Sequence, residues 1–308
     1  MLLHFETPAP RNHFANHTQG EQLDMPAQAL AHSAGLWPSP IHVHRFPDGE
    51  IKLKLPPNLP AEVVMYCSLH QPNEKLVALL LAARTARALG AQHLTLVAPY
   101  LAYMRQDMAF APGEVVSQQV VGRFLADLFD AIITIDPHLH RIARLQEAVP
   151  IKQAQALSAA PLLAQYVVHQ LAHPVLLGPD EESRQWVSQA ALPHGLTYGV
   201  CHKLRRGDAH VQITLPDMDL RGREVVLMDD VASSGHTLAQ AARLALAAGA
   251  AHVHVAVTHA LMADGAMQVM QEAGISRIWS SNSIVHESNV VNIAPLLTHG
   301  LRRLYKPA

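Results

Sequence analysis

The sequence predicts an α/β protein of two similar domains, each a mainly parallel sheet flanked by helices. Three observations predict it. Short, continuous apolar runs alternate with longer segments of helical spacing, and strands apolar on both faces belong in parallel sheets covered by helices. The alternation occurs in both halves of the 308-residue chain, a length that suits one large or two ordinary domains. The composition is 49% apolar and 16% charged, as expected of a well-packed α/β protein.

Taken in order, residues 1–40 are poorly periodic and rich in His, Asn and Pro, and no element is assigned there. AEVVMYCSL (61–69) predicts a strand, and EKLVALLLAARTARALG (74–90) a helix closed by Gly90. HLTLVAPY (93–100) is a buried strand, VVSQQVVGRFLADLFD (115–130) a helix, and AIITIDP (131–137) a strand ended by proline. The order then repeats. PLLAQYVVHQLA is a helix, PVLLGPD a strand, SRQWVSQAAL a helix and REVVLMDDV a strand. HTLAQAARLALAAGA is a helix and HVHVAVTHAL a strand. Leu238, Ala241, Ala242 and Ala245 form one stripe, the spacing of a sheet-facing helix. The boundary is placed near 150–158, around Pro150, giving domains 1–153 and 154–308.

Bulk properties exclude several classes. A formal net charge of −2 gives no basic field for nucleic acid. Cys67 and Cys201 are the two cysteines, both in apolar strand-like segments, so they read as buried thiols rather than a disulfide framework. MLLHFETPAP has neither a positive n-region nor a long apolar h-region. The run LVALLLAA stops at Arg84, too short to span a bilayer. The expectation is a cytoplasmic protein with no nucleic-acid or membrane partner.

The chemistry concentrates in VVLMDDVASSGHT (225–237). Ligands of open α/β sheets sit beyond the carboxyl ends of strands. Here a small, hydroxyl-rich loop leads into a helix whose N-terminal N–H groups favour an anion. Ser233, Ser234 and Thr237 add donors, and Gly235 permits a tight turn. His236 completes the turn between Gly235 and Thr237. Asp229 and Asp230 would repel a phosphate, so they serve another part of the ligand, and a vicinal diol suits an ionised carboxylate. Phosphate plus diol describes a pentose phosphate. The plainer alternative is an Asp-Asp turn capped by serines.

This loop resembles the ribose-phosphate loop of the type I phosphoribosyltransferase fold. RFPDGE (45–50), PYLAYMRQD (99–107) and IDPHLH (135–140) narrow the resemblance to the ribose-phosphate pyrophosphokinases, closest to their short archaeal-type branch. It runs from about residue 41 to nearly the end. The resemblance implies two domains of that phosphoribosyltransferase type. It also implies that Phe46, Asp48 and Glu50 are lent to a neighbouring subunit's ATP, in a homo-oligomer with shared ATP sites. Arg105 and Gln106 resemble the pair gripping ATP; an always-charged planar donor at a strand end suits phosphate. His138 resembles the magnesium-linked histidine and Asp180 the second metal-site residue, so Mg2+ is the implied cofactor. Lys203 and Arg205, in CHKLRRGDAHVQI, resemble the basic catalytic pair, and two such cations can stabilise a transferring phosphoryl group. For isolated residues the alternatives are solvated loops, an edge hairpin and a packing histidine. His42 with His44, and His252 with His254, read as structural, because acids at suitable spacing are missing.

Two departures stand out, the lesser being His236 where the resembled loop commonly has a second glycine. Glu181 and Glu182 follow Asp180 where the family carries small residues around diphosphate. They would oppose the ligand unless metal or Arg184 offsets them; the alternative is acids pointing outward at a helix start, favoured by its dipole. The reading is therefore diphosphate transfer from ATP to ribose 5-phosphate. The alternatives are a catalytically silent nucleotide-binding relative and a nucleobase phosphoribosyltransferase.

Overall fold

The computed structural model describes residues 1–6, 25–206 and 210–305, and the side chains of 203–206 and 210–212 lie outside that description. The chain forms two compact units, residues 1–157 with 294–308, and residues 158–293.

In the first unit the chain runs β1 (Leu2–Phe5), α1 (Pro26–Ala34), β2 (Pro38–Arg45), β3 (Ile51–Lys54), β4 (Glu62–Tyr66) and α2 (Pro72–Ala88). It continues through β5 (His93–Ala98), α3 (Ser117–Ala126), β6 (Ala131–Ile135), the single turn α4 (Leu145–Ala148) and β7 (Gln153–Leu157). These strands form a seven-stranded sheet in the order β3-β2-β1-β4-β5-β6-β7. All neighbours are parallel except the β2–β3 hairpin. β6 is buried along its whole length, which is why its sequence is a continuous apolar run. α2 presents Ala78, Leu79, Ala82, Ala83 and Ala86 inward, and these mostly small side chains let the helix lie close to the sheet.

The second unit runs α5 (Ala160–Gln170), β8 (Val175–Gly178), α6 (Arg184–Ala191), β9 (Tyr198–Val200), β10 (His202–Arg206) and β11 (His210–Thr214). β12 (Glu224–Ala232), α7 (His236–Ala247), β13 (His252–Ala260), α8 (Ala266–Glu272), β14 (Ile275–Ser281) and β15 (Asn289–Val291) follow. A six-stranded sheet has the order β15-β14-β13-β12-β8-β9, and β10 with β11 forms a separate two-stranded ribbon. The six-stranded sheet is parallel at every pairing. The stripe Leu238, Ala241, Ala242 and Ala245 is buried in α7, as its spacing predicts.

The last helix, α9 (Ala294–Leu304), rejoins the first unit. Leu297 and Leu301 are buried, Thr298 Oγ1 donates to Ser33 Oγ at 2.9 Å, and Gly300 lies against Leu157 and Ile133. The division therefore differs from a single cut at 153/154. That cut falls at the start of β7, which completes the first sheet, and it assigns α9 to the second domain.

Both sheets contain a switch point, a place where successive connections run off in opposite directions. In the first, β1 leads to β2 and β4 to β5 on opposite sides, so the switch lies between β1 and β4. In the second, β8 leads to β9 and β12 to β13, so it lies between β8 and β12. Such crevices are where open α/β sheets bind ligands.

Candidate active site

β12 is buried from Val225 to Met228 and then delivers its two carboxylates at the carboxyl end of the sheet. Strand geometry turns the neighbours to opposite faces. Asp230 is 3% exposed, whereas Asp229 is half-buried. The Asp229 Oδ1 accepts from the Asp230 N–H at 2.9 Å. Its carboxyl is pushed well above the ordinary range, first by burial and then by the charges of Asp230 and Asp180. Asp180, two residues beyond the end of β8, thus belongs to the same cluster. The cluster straddles the β8–β12 switch point.

The loop after Asp230 is fixed by backbone bonds. Met262 N–H donates to the Ala232 carbonyl and Ala263 N–H to the Ser233 carbonyl, both at 3.0 Å. Gly235, the N-cap of α7, has φ 77°. A Cβ there would come within 3.0 Å of Met270 Cγ and 3.1 Å of the Ala266 carbonyl. Both the conformation and the approach of α8 therefore require glycine. No side chain caps α7. Its first N–H groups are left for water or a ligand, at the positive end of the helix dipole. Ser234 and His236 are exposed, while Ser233 and Thr237 are half-buried around the same end.

The turn after Asp180 explains the acids that follow it. Asp180 Oδ1 accepts from the Glu182 N–H at 3.1 Å, and Ser183 Oγ donates to the Asp180 carbonyl. Gly178 makes room for this turn, since a Cβ would lie 2.2 Å from Ser183 Oγ and 2.7 Å from Val200 Cγ1. Glu181 is not an unopposed charge. Arg184 donates Nε to its Oε2 at 3.0 Å and Nη2 to Oε1 at 3.0 Å, and His202 Nδ1 lies 2.8 Å from Oε1. Lys203 and Arg205 occupy β10, where they pair with Ile213 and Val211 of β11. Their side chains lie outside the described residues.

In the first unit, His138 follows β6 and is half-buried, its Nε2 2.6 Å from that of His140, with the rings edge to face. The preceding Asp136 is 4% exposed and takes φ 35°, an uncommon conformation for a residue with a side chain. Arg105 is exposed and Gln106 Nε2 donates to the Met108 carbonyl at 2.9 Å. Arg141 Nη1 donates to Asp107 Oδ1 at 2.6 Å, and the Asp107 side chain is buried, so the Arg105–Asp107 and His138–Arg141 segments meet. The motif reading did not foresee this pair.

Phe46, Asp48 and Glu50 are exposed at the tip of the β2–β3 hairpin. Asp48 Oδ1 accepts from the Glu50 N–H at 3.1 Å, Phe46 N–H donates to the Glu50 carbonyl at 2.8 Å, and Phe46 packs edge-on to His44. Arg45 is paired with Glu74 of α2 at 2.6 Å, bracing the hairpin. The tip belongs to the β3 edge, and β2 is three strand spacings from β5, roughly 14 Å. A cavity of about 1170 Å³ sits at the β1–β4 switch point, bordered by Phe5, Arg45, Cys67 and Lys75. None of Phe46, Asp48, Glu50, Arg105 or Gln106 borders it.

Both cysteines are free and buried, with thiols pushed up to about 12, Cys67 by burial and Cys201 by burial and then by Asp180. The paired histidines do find acids, though none at close sequence spacing. Glu6 lies 2.7 Å from His42, and Glu224 lies 3.0 Å from His252 and 2.8 Å from His254. Glu6 follows β1 and Glu224 opens β12, so sequence spacing does not reveal them. No helix among the described residues is long and apolar enough to cross a membrane.

Residues 18–128 match the N-terminal domain of ribose phosphate pyrophosphokinase, and residues 147–292 match the phosphoribosyl transferase domain. The chain is 34% identical over 269 residues to the ribose-phosphate pyrophosphokinase of Methanopyrus kandleri, covering 86% of this chain and 91% of that protein. It is 31% identical over 286 residues to that of Methanosarcina acetivorans, covering 92% and 98%. In fold it is similar to a crystal structure of phosphoribosylpyrophosphate synthetase from Mycobacterium smegmatis, with a TM-score of 0.79, 22% identity and coverage of 99% and 98%.

Proposed function

Because the chain belongs to the ribose-phosphate pyrophosphokinase family, we propose that it transfers the diphosphate of ATP to the 1-hydroxyl of ribose 5-phosphate, giving 5-phosphoribosyl 1-diphosphate and AMP. The observation that carries this reading is the crevice at the β8–β12 switch point. It combines a carboxylate cluster with a hydroxyl-rich loop entering an uncapped helix. The 5-phosphate lies on Ser233, Ser234, Gly235, His236 and Thr237, held by their N–H and hydroxyl groups. Asp229 accepts hydrogen bonds from the ribose diol, and Asp230, buried behind it, supports that end of the strand.

The anomeric oxygen attacks the β-phosphorus in line. Its bond to phosphorus forms as the bond to the α–β bridging oxygen breaks, that oxygen leaves with AMP, and the hydroxyl proton passes to solvent. Such a transfer is mainly positioning and charge neutralisation. Lys203 and Arg205 supply positive charge to the transferring group, and Arg105 and Gln106 hold the triphosphate and nucleoside. Phe46, Asp48 and Glu50 are far across their own sheet from Arg105, which supports their serving the ATP of a second copy in a homo-oligomer.

Magnesium is the cofactor this reading implies, and the donor set fits it. Asp180 and Asp229 offer hard carboxylate oxygens. The Asp229 carboxyl is pushed up by burial and then by Asp230 and Asp180, and a dication would relieve the charge these carboxylates share. Asp180 would hold an ion in the second unit. His138 is the metal-linked imidazole of the first, a secondary donor because magnesium prefers oxygen and retains water. When bound, the ion would neutralise charge on the diphosphate being transferred.

The silent-relative reading drew on Glu181 and Glu182 as acids facing diphosphate. Arg184 and His202 offset the charge of Glu181, the acid next to Asp180. The test is direct. Purified protein with ATP, ribose 5-phosphate and magnesium should release AMP and move the β-phosphate onto the sugar. No AMP, or diphosphate release on adding a nucleobase to 5-phosphoribosyl 1-diphosphate, would contradict the proposal.

A further inference from the structure

The support of the chain changes between residues 201 and 202. Cys201 is fully buried, and its N–H donates to the Gly178 carbonyl at 2.8 Å, fixing the chain to the end of β8. His202, the first residue of β10, has left the six-stranded sheet and is exposed. Its Nδ1 reaches Glu181 Oε1 at 2.8 Å. The same carboxylate is gripped by Arg184, which opens α6. Glu181 in turn stands one residue beyond Asp180, in the turn closed by Asp180 Oδ1 and Ser183 Oγ.

We propose that Glu181 is a positioning residue for diphosphate transfer, tying the first residue of the strand that carries Lys203 and Arg205 to the turn that carries Asp180. A carboxylate with a guanidinium fork on one side and an imidazole on the other is held in one orientation. His202 is adjacent in the chain to Lys203, so fixing its side chain fixes where β10 leaves the sheet. The proposal rests on the reaction above. The competing role for an acid here is plain repulsion of polyphosphate, and the two roles predict opposite signs when the charge is removed.

The test uses the full chain with Glu181→Gln, Glu181→Asp, His202→Gln and the Glu181→Gln/His202→Gln double variant. Glu181→Gln is expected to lower kcat about fivefold, with KM for ribose 5-phosphate unchanged. Backbone amides of β10 and β11 should exchange about fivefold faster. His202→Gln should do the same, the double variant should be no worse than either single change, and Glu181→Asp should recover part of the loss. A higher kcat or a lower KM for ATP in Glu181→Gln would show repulsion instead and overturn the proposal. Unchanged kcat and exchange would overturn it as well, leaving a surface ion pair. If wild-type protein released no AMP, the functional reading would fall, while the exchange comparison would still report the coupling.

Discussion

Asp229 and Asp230 look equivalent in sequence, and strand alternation separates them. Asp229 is half-buried, its carboxyl pushed up by burial and its neighbours' charge, whereas Asp230 is 3% exposed. Asp229→Ala should therefore weaken ribose 5-phosphate binding about 100-fold in calorimetry, the scale of losing hydrogen bonds to a charged acceptor. Lys203→Ala should abolish turnover while leaving that affinity nearly intact; equal binding losses would contradict the assignment. A second residue-scale prediction concerns His254. It is 3% exposed, stacked on Trp279 with centroids 5.2 Å apart, and its Nδ1 has no hydrogen-bond partner. Burial lowers its pKa from 6.5, outweighing Glu224, which raises it. The folded state then binds fewer protons than the unfolded chain, so this contribution is fully present above pH 6.5 and is lost as pH falls below it. Burial pushes Glu224 up, but the bonds and charges of His254 and His252 together hold it below its ordinary value, and it adds a loss at lower pH. The Tm of wild type should fall on acidification through 6.5, and His254→Phe should flatten that fall. A parallel fall in both proteins would show that His254 is not responsible. The acids beside these histidines were illegible in sequence, since Glu224 lies 28 and 30 positions away.

At the scale of elements, the buried strands and sheet-facing helices were legible because each carries its own period. AIITI and the α7 stripe needed no partner to be read. β1 was not legible. Leu2–Phe5 is four residues in a poorly periodic stretch, and it is a central strand only because β2 and β4 pair with it. α9 was likewise missed as part of the first unit, since chain order says nothing of a segment that returns across a unit boundary. The site loop was legible because its chemistry is local, a strand end, a small-residue turn and a helix start within 225–237. The Arg141–Asp107 pair spans 34 positions and left no such signal. The turn after β8 supplies an element-scale prediction. Gly178→Ala places a Cβ 2.2 Å from Ser183 Oγ, so denaturant unfolding should lose about 1–3 kcal/mol, the usual penalty of overpacking. A neutral effect would mean that the turn relaxes freely and does not define where Asp180 sits.

For the whole molecule, both sheets contain a switch point, and the proposed pentose-phosphate chemistry falls at that of the second unit. The first offers Arg105, Gln106 and His138 on one side of its sheet and the Phe46–Glu50 tip at the other edge. That separation predicts a homo-oligomer, which light scattering checks by mass; a fully active monomer would contradict shared ATP sites. The central claim concerns where the sugar sits. A crystal of the protein with ribose 5-phosphate should show the phosphate against the N–H groups of Ser234 to Thr237 and the ribose hydroxyls facing Asp229. Density for the sugar at any other place in the chain would contradict the account.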